Sequence, residues 1–532
     1  MVSDSRLPDP AVQRIQASGQ DIPWLLDYWA GRRPDHPALI WEARDGTVRE
    51  WSYRRLRDDV WAVASGLAAR GIGMGDKILV HAENCPEFVL AWLGAAAAGA
   101  VAVTTNTRSV AAEVRYFIDK AQCVAAITQP QYASLVAEAG PGLKWVAVTD
   151  DDSGEPPASS PGGMDRFQDL VSGGGWRGRP ADPLLPFGIM YTSGTTSRPK
   201  AVVHTHANAI WASRLGPRNI DLGPADRYLI HLPLFHVNAQ SWSLFSVLGV
   251  GATAVLVPKW STSRFWPVVA RHRVTHFSLM PFCLPALADP GRPATELRTG
   301  VFGALMPQWE EQFGLQVYAA YGMTETVTHA VNGKPYEPLQ AGSMGRVAPG
   351  YEMAVVDRAS GNLCAEGEAG ELWLRGARGI QLFLEYFDNP EANEAAFQDG
   401  WFRTGDMVVT GPGGNVFFRE RDKDLLKVGG ENVSAREVEE VITAVPGVAQ
   451  VAVVGKAHDF LSQVAVAFVV RRPDVAADEE ELRRRIVGAC ADRLADFKVP
   501  KAVYFVDSFP LGTLDKVLKN KLREMADSEP PV

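Results

Sequence analysis

Between the apolar runs FGIM and AVV lie Tyr191, Thr192, Ser193, Gly194, Thr195, Thr196, Ser197, Arg198, Pro199 and Lys200, and residues 192–197 hold five hydroxyls and one glycine. Such a stretch can aim side-chain and backbone donors at phosphate oxygens, with Lys200 supplying a mobile positive charge. It is not the GxxxxGK[ST] loop, and taken alone it describes a polar hairpin equally well. Further on, Glu325 in YGMTETVTH is a carboxylate that could be simply a capping or solvated side chain. Tyr321 presents a flat ring that could stack a base or pack in a core. Asp406 in RTGD has an acceptor pair suited to a diol, and His236 in LPLFHVNAQSW is an imidazole that could change its hydrogen bonding near neutral pH or sit satisfied in a core.

These residues need a frame. Residues 78–80 (ILV) suggest a strand, EFVLAWLGAAAAGA a helix, VAVTT a strand and AAEVRYFIDKA a helix, and that alternation predicts an α/β fold with parallel sheets packed by helices. Strand candidates recur at ATAVLV, THFSLM and QVYAA. EMAVVD, GEAGELWLRG and NVFFRE, with glycine turns between them, predict a small, partly antiparallel or barrel-like unit. Residues 151–185, rich in Gly, Pro, Ser and Asp, read as a surface connection. Beyond about residue 420, SAREVEEVITAV, VAQVAVVG, VAVAFVV, DEEELRRRIVGACADRL and AVYFVD compose a compact α+β unit. The expected division is a large domain over 1–420 and a small one over 421–532.

Composition narrows the function class. The chain has 532 residues with 53 basic and 62 acidic side chains, a formal charge of −9, which excludes a disulfide-stapled miniprotein and a basic nucleic-acid-wrapping protein. Cys85, Cys123, Cys283, Cys364 and Cys490 are widely spaced with no CxxC, as thiols of a reducing compartment would be. The opening MVSDSRLPDPAVQRIQ has no apolar export segment, so the cytoplasm is the expected location. The longest apolar run, Phe88 to Val103, has 16 residues and falls short of the roughly 20 that span a bilayer.

Five segments, in order, resemble the adenylate-forming superfamily of acyl-CoA synthetases, nonribosomal peptide adenylation domains and luciferases: the hydroxyl-rich loop, LPLFHVNAQSW at 232–242, YGMTETVTH at 321–329, GWFRTGDMV at 400–408, and RERDKDLLKVGGENVSAREVE at 419–439. The likeness runs from ALIWEARDGTVREWSYRRL to the terminal KVLKNKLRE. SRPK and STSRFWPVVARHRVTHF look most like the carnitine and crotonobetaine CoA ligase branch. The resemblance implies two half-reactions: a carboxylate attacks the α-phosphate of ATP and releases pyrophosphate, then the thiol of coenzyme A displaces AMP. It implies ATP, Mg2+ and coenzyme A, a small carboxylic acid as substrate, no nucleic acid or membrane segment, and a homodimer by analogy.

By the same match, Thr192, Ser193, Gly194, Thr195, Thr196 and Lys200 would cradle the β and γ phosphates. Thr324 would contact the α-phosphate, and Glu325 would help hold Mg2+. Tyr321 would stack adenine beside Gly303 and Ala304, Asp406 would accept the ribose hydroxyls with Arg421 as cationic partner, and His236 would gate the carboxylate entry. Lys423 would be a hinge that lets one cleft be assembled twice. Lys427, Gly429 and Gly430 would meet the pantetheine arm, and Lys516 would bridge the attacking carboxylate and the α-phosphate. Asp515 before Lys516 and Ala201 after Lys200 depart from the usual glycines. Phe235, Val237, Asn238, Gln240, Trp242, Met306, Val327 and His329 are expected near the acyl pocket, whose polar members suit a short, polar or ring-bearing acid. An amine or a carrier-protein thiol in place of coenzyme A stays open as the final acceptor, as does a silent binding protein that keeps the fold.

Overall fold

The computed structural model of the chain describes residues 10–150, 162–171, 176, 178–192, 198–421, 425–472, 478–510 and 517–530. Among them four sheets form. An eight-stranded sheet runs, edge to edge, Glu385–Tyr386, Lys200–Thr205, Pro186–Thr192, Val101–Thr104, Lys77–His81, Cys123–Thr128, Val146–Val148 and Asp165–Arg166. In a nine-stranded sheet, Gln316–Tyr321, Thr299–Phe302, His276–Ser278, Arg227–Ile230 and Thr253–Leu256 lie side by side and parallel. Parallel strands need crossovers, and the sequence supplies them as helices.

One apolar cluster joins the two large sheets through those helices. Apart from Glu87 in its first turn, Pro86–Ala98 is apolar all round; it starts on a proline, stops at Gly99 in the left-handed region (φ 82°) and is a buried helix. Its Trp92 meets Phe187 of the eight-stranded sheet and Phe245 of a neighbouring helix. The expected barrel-like unit is a five-stranded antiparallel sheet of Glu352–Val356, Ala369–Arg375, Trp401–Gly411, Phe397–Gln398 and Asn415–Arg421.

In the small domain, Ser462–Arg471 pairs antiparallel with Val448–His458 and parallel with the edge strand Ala502–Phe505. Alternate residues divide between two faces, as a strand's period of two requires. Val453, Ala465 and Ala467 pack under helices Ala435–Thr443 and Glu479–Arg493, while Val454, Val466 and Phe468 pack under Lys519–Ser528. One local expectation changes. Within 151–185, Asp165–Arg166 is an edge strand, and Phe167–Val171 is a helical turn that buries Phe167 and Leu170. Two apolar residues three apart are too few to register as a period. No helix among the described residues is long and apolar enough to cross a membrane.

Candidate active site

Strands Pro186–Thr192 and Lys200–Thr205, which flank the hydroxyl-rich stretch, pair antiparallel with Thr192 opposite Lys200. Ser193, Gly194, Thr195 and Thr196 lie outside the described residues, but the chain on either side of them is anchored. Tyr191 donates its hydroxyl to Phe117 O (3.0 Å), and Tyr116 donates to Pro199 O (2.9 Å) with the Arg198 guanidinium 5.3 Å from its ring centre. Thr205 then caps the helix His206–Asn219 with Asn208 as its reciprocal partner. The same two residues tie down the crossing chain: Thr205 Oγ1 donates to Gly379 O, and the Asn208 amide donates to Ile380 O and Leu382 O. Strand Glu385–Tyr386 is thereby laid against Val203 and Val202.

That placement sets Tyr386 between two of the expected residues. The Lys200 ammonium stands 4.7 Å from the centre of its ring, and its hydroxyl donates to Glu325 Oε1 at 2.9 Å. Glu325 is buried, and its Oε2 has no hydrogen-bond partner among the described residues. Thr324 is held by His204: burial keeps that imidazole neutral, down at about 4, and its Nε2–H donates to Thr324 O at 2.7 Å. Just beyond, Val327 adopts φ 65° and ψ −54°, the centre of a γ-turn closed by Thr328 N to Thr326 O (2.6 Å). A β-branched residue there is strained, as residues at functional sites often are.

The expected nucleoside end is equally compact. Tyr321 donates its hydroxyl to Asp406 Oδ2 at 2.6 Å, and both are buried. Asp406 stands opposite Arg421 in the antiparallel ladder, so the two expected ribose partners are backbone neighbours across strands. Gly303 and Ala304 follow the strand Thr299–Phe302, and a methyl at Gly303 would meet no protein atom within 4 Å. Glycine there is required by no protein neighbour, and the space beside it is open.

The small domain meets the large one at His236. Glu431, next after the KVGG turn, faces His236 with Oε2 to Nε2 at 3.1 Å. In that turn Gly429 (φ 59°) and Gly430 (φ 90°) both need the left-handed region, and a methyl at Gly430 would reach 4.0 Å from Met280 of the large domain. Lys427 carries its ammonium 5.3 Å from the Phe418 ring centre. Lys423, Asp515 and Lys516 lie outside the described residues; Val517 packs on the face of the small sheet opposite the one that carries helix Ala435–Thr443.

Among the expected acyl-pocket residues, Gln240 is buried. Its amide donates to Thr104 Oγ1 and Leu234 O, and at 2% exposure it is a strut of the core. Trp242 donates to Val327 O at 3.2 Å and meets the His329 ring edge-on at 4.7 Å, and a methyl at Gly322 would fall 2.9 Å from its ring. Phe235 and Val237 are buried; Met306 is half-buried. Tyr386 and Glu431 were missed because each acts as one residue across a long sequence separation. The available signals were the tyrosine in LEYFDNPE and the carboxylate adjoining KVGG.

Known proteins are similar to this chain over most of its length. The profile of the AMP-binding enzyme matches residues 26–387, and that of the AMP-binding enzyme C-terminal domain matches residues 437–516. Crotonobetaine/carnitine–CoA ligase of Salmonella agona is 31% identical over 528 residues, covering 95% of this chain and 99% of that one. The o-succinylbenzoate CoA synthetase of Bacillus subtilis, as a double mutant bound with its product analogue OSB-NCoA, superposes with a TM-score of 0.80 at 27% identity, over 94% of this chain and 98% of that one. The same enzyme in complex with AMP gives 0.67 at 27% identity, over 95% and 99%.

Proposed function

The chain belongs to the AMP-binding enzyme family, and from that premise we propose how its own residues carry two reactions in one cleft. It is an AMP-forming carboxylic acid–CoA ligase: the acid's carboxylate bonds to the α-phosphorus of ATP as the α–β bridge breaks and pyrophosphate leaves, and the thiol of coenzyme A then takes the acyl carbon as AMP leaves. The observation that carries the residue assignment is the chain Lys200–Tyr386–Glu325, which joins the phosphate hairpin to a buried carboxylate. Lys200, Thr192 and loop residues 193–196 neutralise the triphosphate and Thr324 meets the α-phosphate, where preorganised donors act most strongly in a dry site. Glu325 suits Mg2+, which is held by one or two carboxylates together with substrate phosphates, and its Oε2 has no competing hydrogen bond among the described residues. Bound there, the ion would offset charge on the triphosphate. Tyr321, fixed by Asp406, takes the adenine, and Asp406 with Arg421 takes the ribose.

The large domain, 1–420, and the small domain, 421–532, turn about Lys423 between the half-reactions. Two observations support reading the present arrangement as the thioester-forming one: the contact of Glu431 with His236 beside the Gly429–Gly430 turn, and the greater likeness to the relative that holds a coenzyme A analogue. In the other arrangement Lys516 bridges the acid and the α-phosphate. The five cysteines are free thiols, which fits a cytoplasmic enzyme. Pyrophosphate release from ATP, Mg2+ and a panel of acids, followed with and without coenzyme A, tests the assignment. The expected product is a CoA thioester, and an acyl-adenylate that only an amine discharges would overturn the acceptor.

A further inference from the structure

Two side chains of the helical turn Asn238–Leu244 are half-exposed, Asn238 and, four residues on, Trp242; Ala239, Gln240, Ser241, Ser243 and Leu244 between and beside them are buried. That face adjoins the carboxyl ends of strands Arg227–Ile230 and His276–Ser278, where open parallel sheets take their ligands. The Asn238 amide is held one way round. Ser278 Oγ donates to Asn238 Oδ1 at 2.7 Å, and Ser243 Oγ donates to the same oxygen at 3.4 Å. Ser278 has a single hydroxyl hydrogen, so the 3.0 Å contact between Tyr228 and Ser278 is made by the tyrosine hydroxyl donating. Burial raises the Tyr228 phenol and keeps it a donor. The relay Tyr228 to Ser278 to Asn238 therefore ends on the amide oxygen and turns the NH2 outward, where it meets no acceptor among the described residues. None of Tyr228, Ser243, Ser278, Trp242, His329 or Asn238 bonds a carboxylate among the described residues.

We propose that Asn238 is a specificity residue whose amide N–H receives a hydrogen-bond acceptor on the far part of the acid, so that the substrate is an oxo-, hydroxy- or similarly oxygenated carboxylic acid and not a trimethylammonium or plain hydrocarbon acid. A cation would meet the positive end of an oriented amide, and a hydrocarbon would leave that N–H desolvated and unpaired. The inference rests on the ligase reading above and deepens it. A site built to bond a polar group rejects the analogue lacking it far more strongly than an apolar pocket rejects a methylene.

The test measures kcat/KM for CoA-thioester formation with matched acids: 4-oxopentanoate against 4-methylpentanoate, 3-hydroxybutanoate against 3-methylbutanoate, and 4-(trimethylammonio)butanoate. The native enzyme is expected to prefer the oxygenated member of at least one pair by ~10-fold or more. Asn238→Leu is expected to bring that ratio near one through loss on the oxygenated acid, and Asn238→Asp to admit the trimethylammonium acid. Ser278→Ala, which frees the amide to flip, is expected to weaken the preference without abolishing it. Equal or better turnover of the hydrocarbon or trimethylammonium acid by the native enzyme overturns the proposal, as does a ratio unmoved in Asn238→Leu. If instead no acid yields a thioester, the ligase reading fails first and takes this inference with it.

Discussion

Lys498 of the small domain crosses to the large domain and ends 2.5 Å from Glu113 Oε1. Its other partner, Glu437 Oε1, belongs to its own domain and lies 3.0 Å away; lysine and both carboxylates are buried. Burial alone would lower the Lys498 ammonium, but the two carboxylates outweigh it and raise the group above its ordinary value. The second oxygen of Glu113 accepts from Val110 N and caps helix Ala111–Ala121, the helix whose Tyr116 holds Pro199 at the exit of the phosphate hairpin. Domain docking and the phosphate hairpin thus share one helix.

Removing Lys498 leaves two buried carboxylates facing each other, and breaking a buried ion pair in this way costs about 3–5 kcal/mol. That cost falls on the docked arrangement. Lys498→Ala is expected to slow single-turnover thioester formation from preformed acyl-adenylate by ~10-fold or more, with pyrophosphate release within ~2-fold of native, and Lys498→Arg to recover part of the loss. Equal falls in both half-reactions would contradict the account.

The His236–Glu431 pair should make docking depend on pH. Burial opposes the charged imidazole, yet the charge and hydrogen bond of Glu431 hold it above its ordinary 6.5; burial alone would raise Glu431, and His236 holds it below its ordinary 4.5. The contribution is therefore complete between about 4.5 and 6.5, fades as pH rises through the raised histidine value, and fades again as pH falls through the lowered glutamate value. The ratio of native to Glu431→Gln rates of thioester formation should be largest near pH 6 and fall toward one in alkali, which cancels the ionisation of the thiol itself. A ratio flat with pH would remove the pair from the mechanism.

Tyr386→Phe deletes the hydroxyl that orients Glu325. Groups that orient a metal ligand are worth ~10- to 100-fold in metal affinity. The Mg2+ concentration for half-maximal pyrophosphate release is expected to rise by about that factor while maximal rates at saturating Mg2+ stay close to native. An unchanged Mg2+ titration would sink the role given to Glu325.

Two glycines should respond oppositely. A methyl at Gly322 would lie 2.7 Å from Thr328 O and 2.9 Å from Trp242, so Gly322→Ala should cost ~1–3 kcal/mol and lower Tm. Gly303→Ala meets no protein atom within 4 Å and should melt as the native protein does, yet raise KM for ATP if adenine occupies that space. Thermal melts beside ATP titrations separate the two effects.

Much of this was readable from the chain because it is local. The Pro86–Ala98 helix, the strands flanking the hydroxyl-rich loop and the period-two strands of the small domain each follow from composition over a short window. The chemistry-bearing residues were legible where they cluster in a motif, as Thr324 and Glu325 do. Tyr386, Glu431, Glu113 and Lys498 were not, because each gains its meaning from a contact made over 61 to 385 positions of sequence. The partners of Gln240 were hidden for the same reason: its amide NH2 is taken by Thr104 and Leu234, which no sequence window places beside it.

The most direct measurement is a single-turnover experiment with enzyme, ATP, Mg2+ and an accepted acid, in which pyrophosphate, AMP and acyl products are followed before and after coenzyme A is added. About one equivalent of pyrophosphate per enzyme is expected at first, with the adenylate retained, and then AMP and a CoA thioester released together on addition of the thiol. Pyrophosphate release followed by an adenylate indifferent to coenzyme A would contradict it.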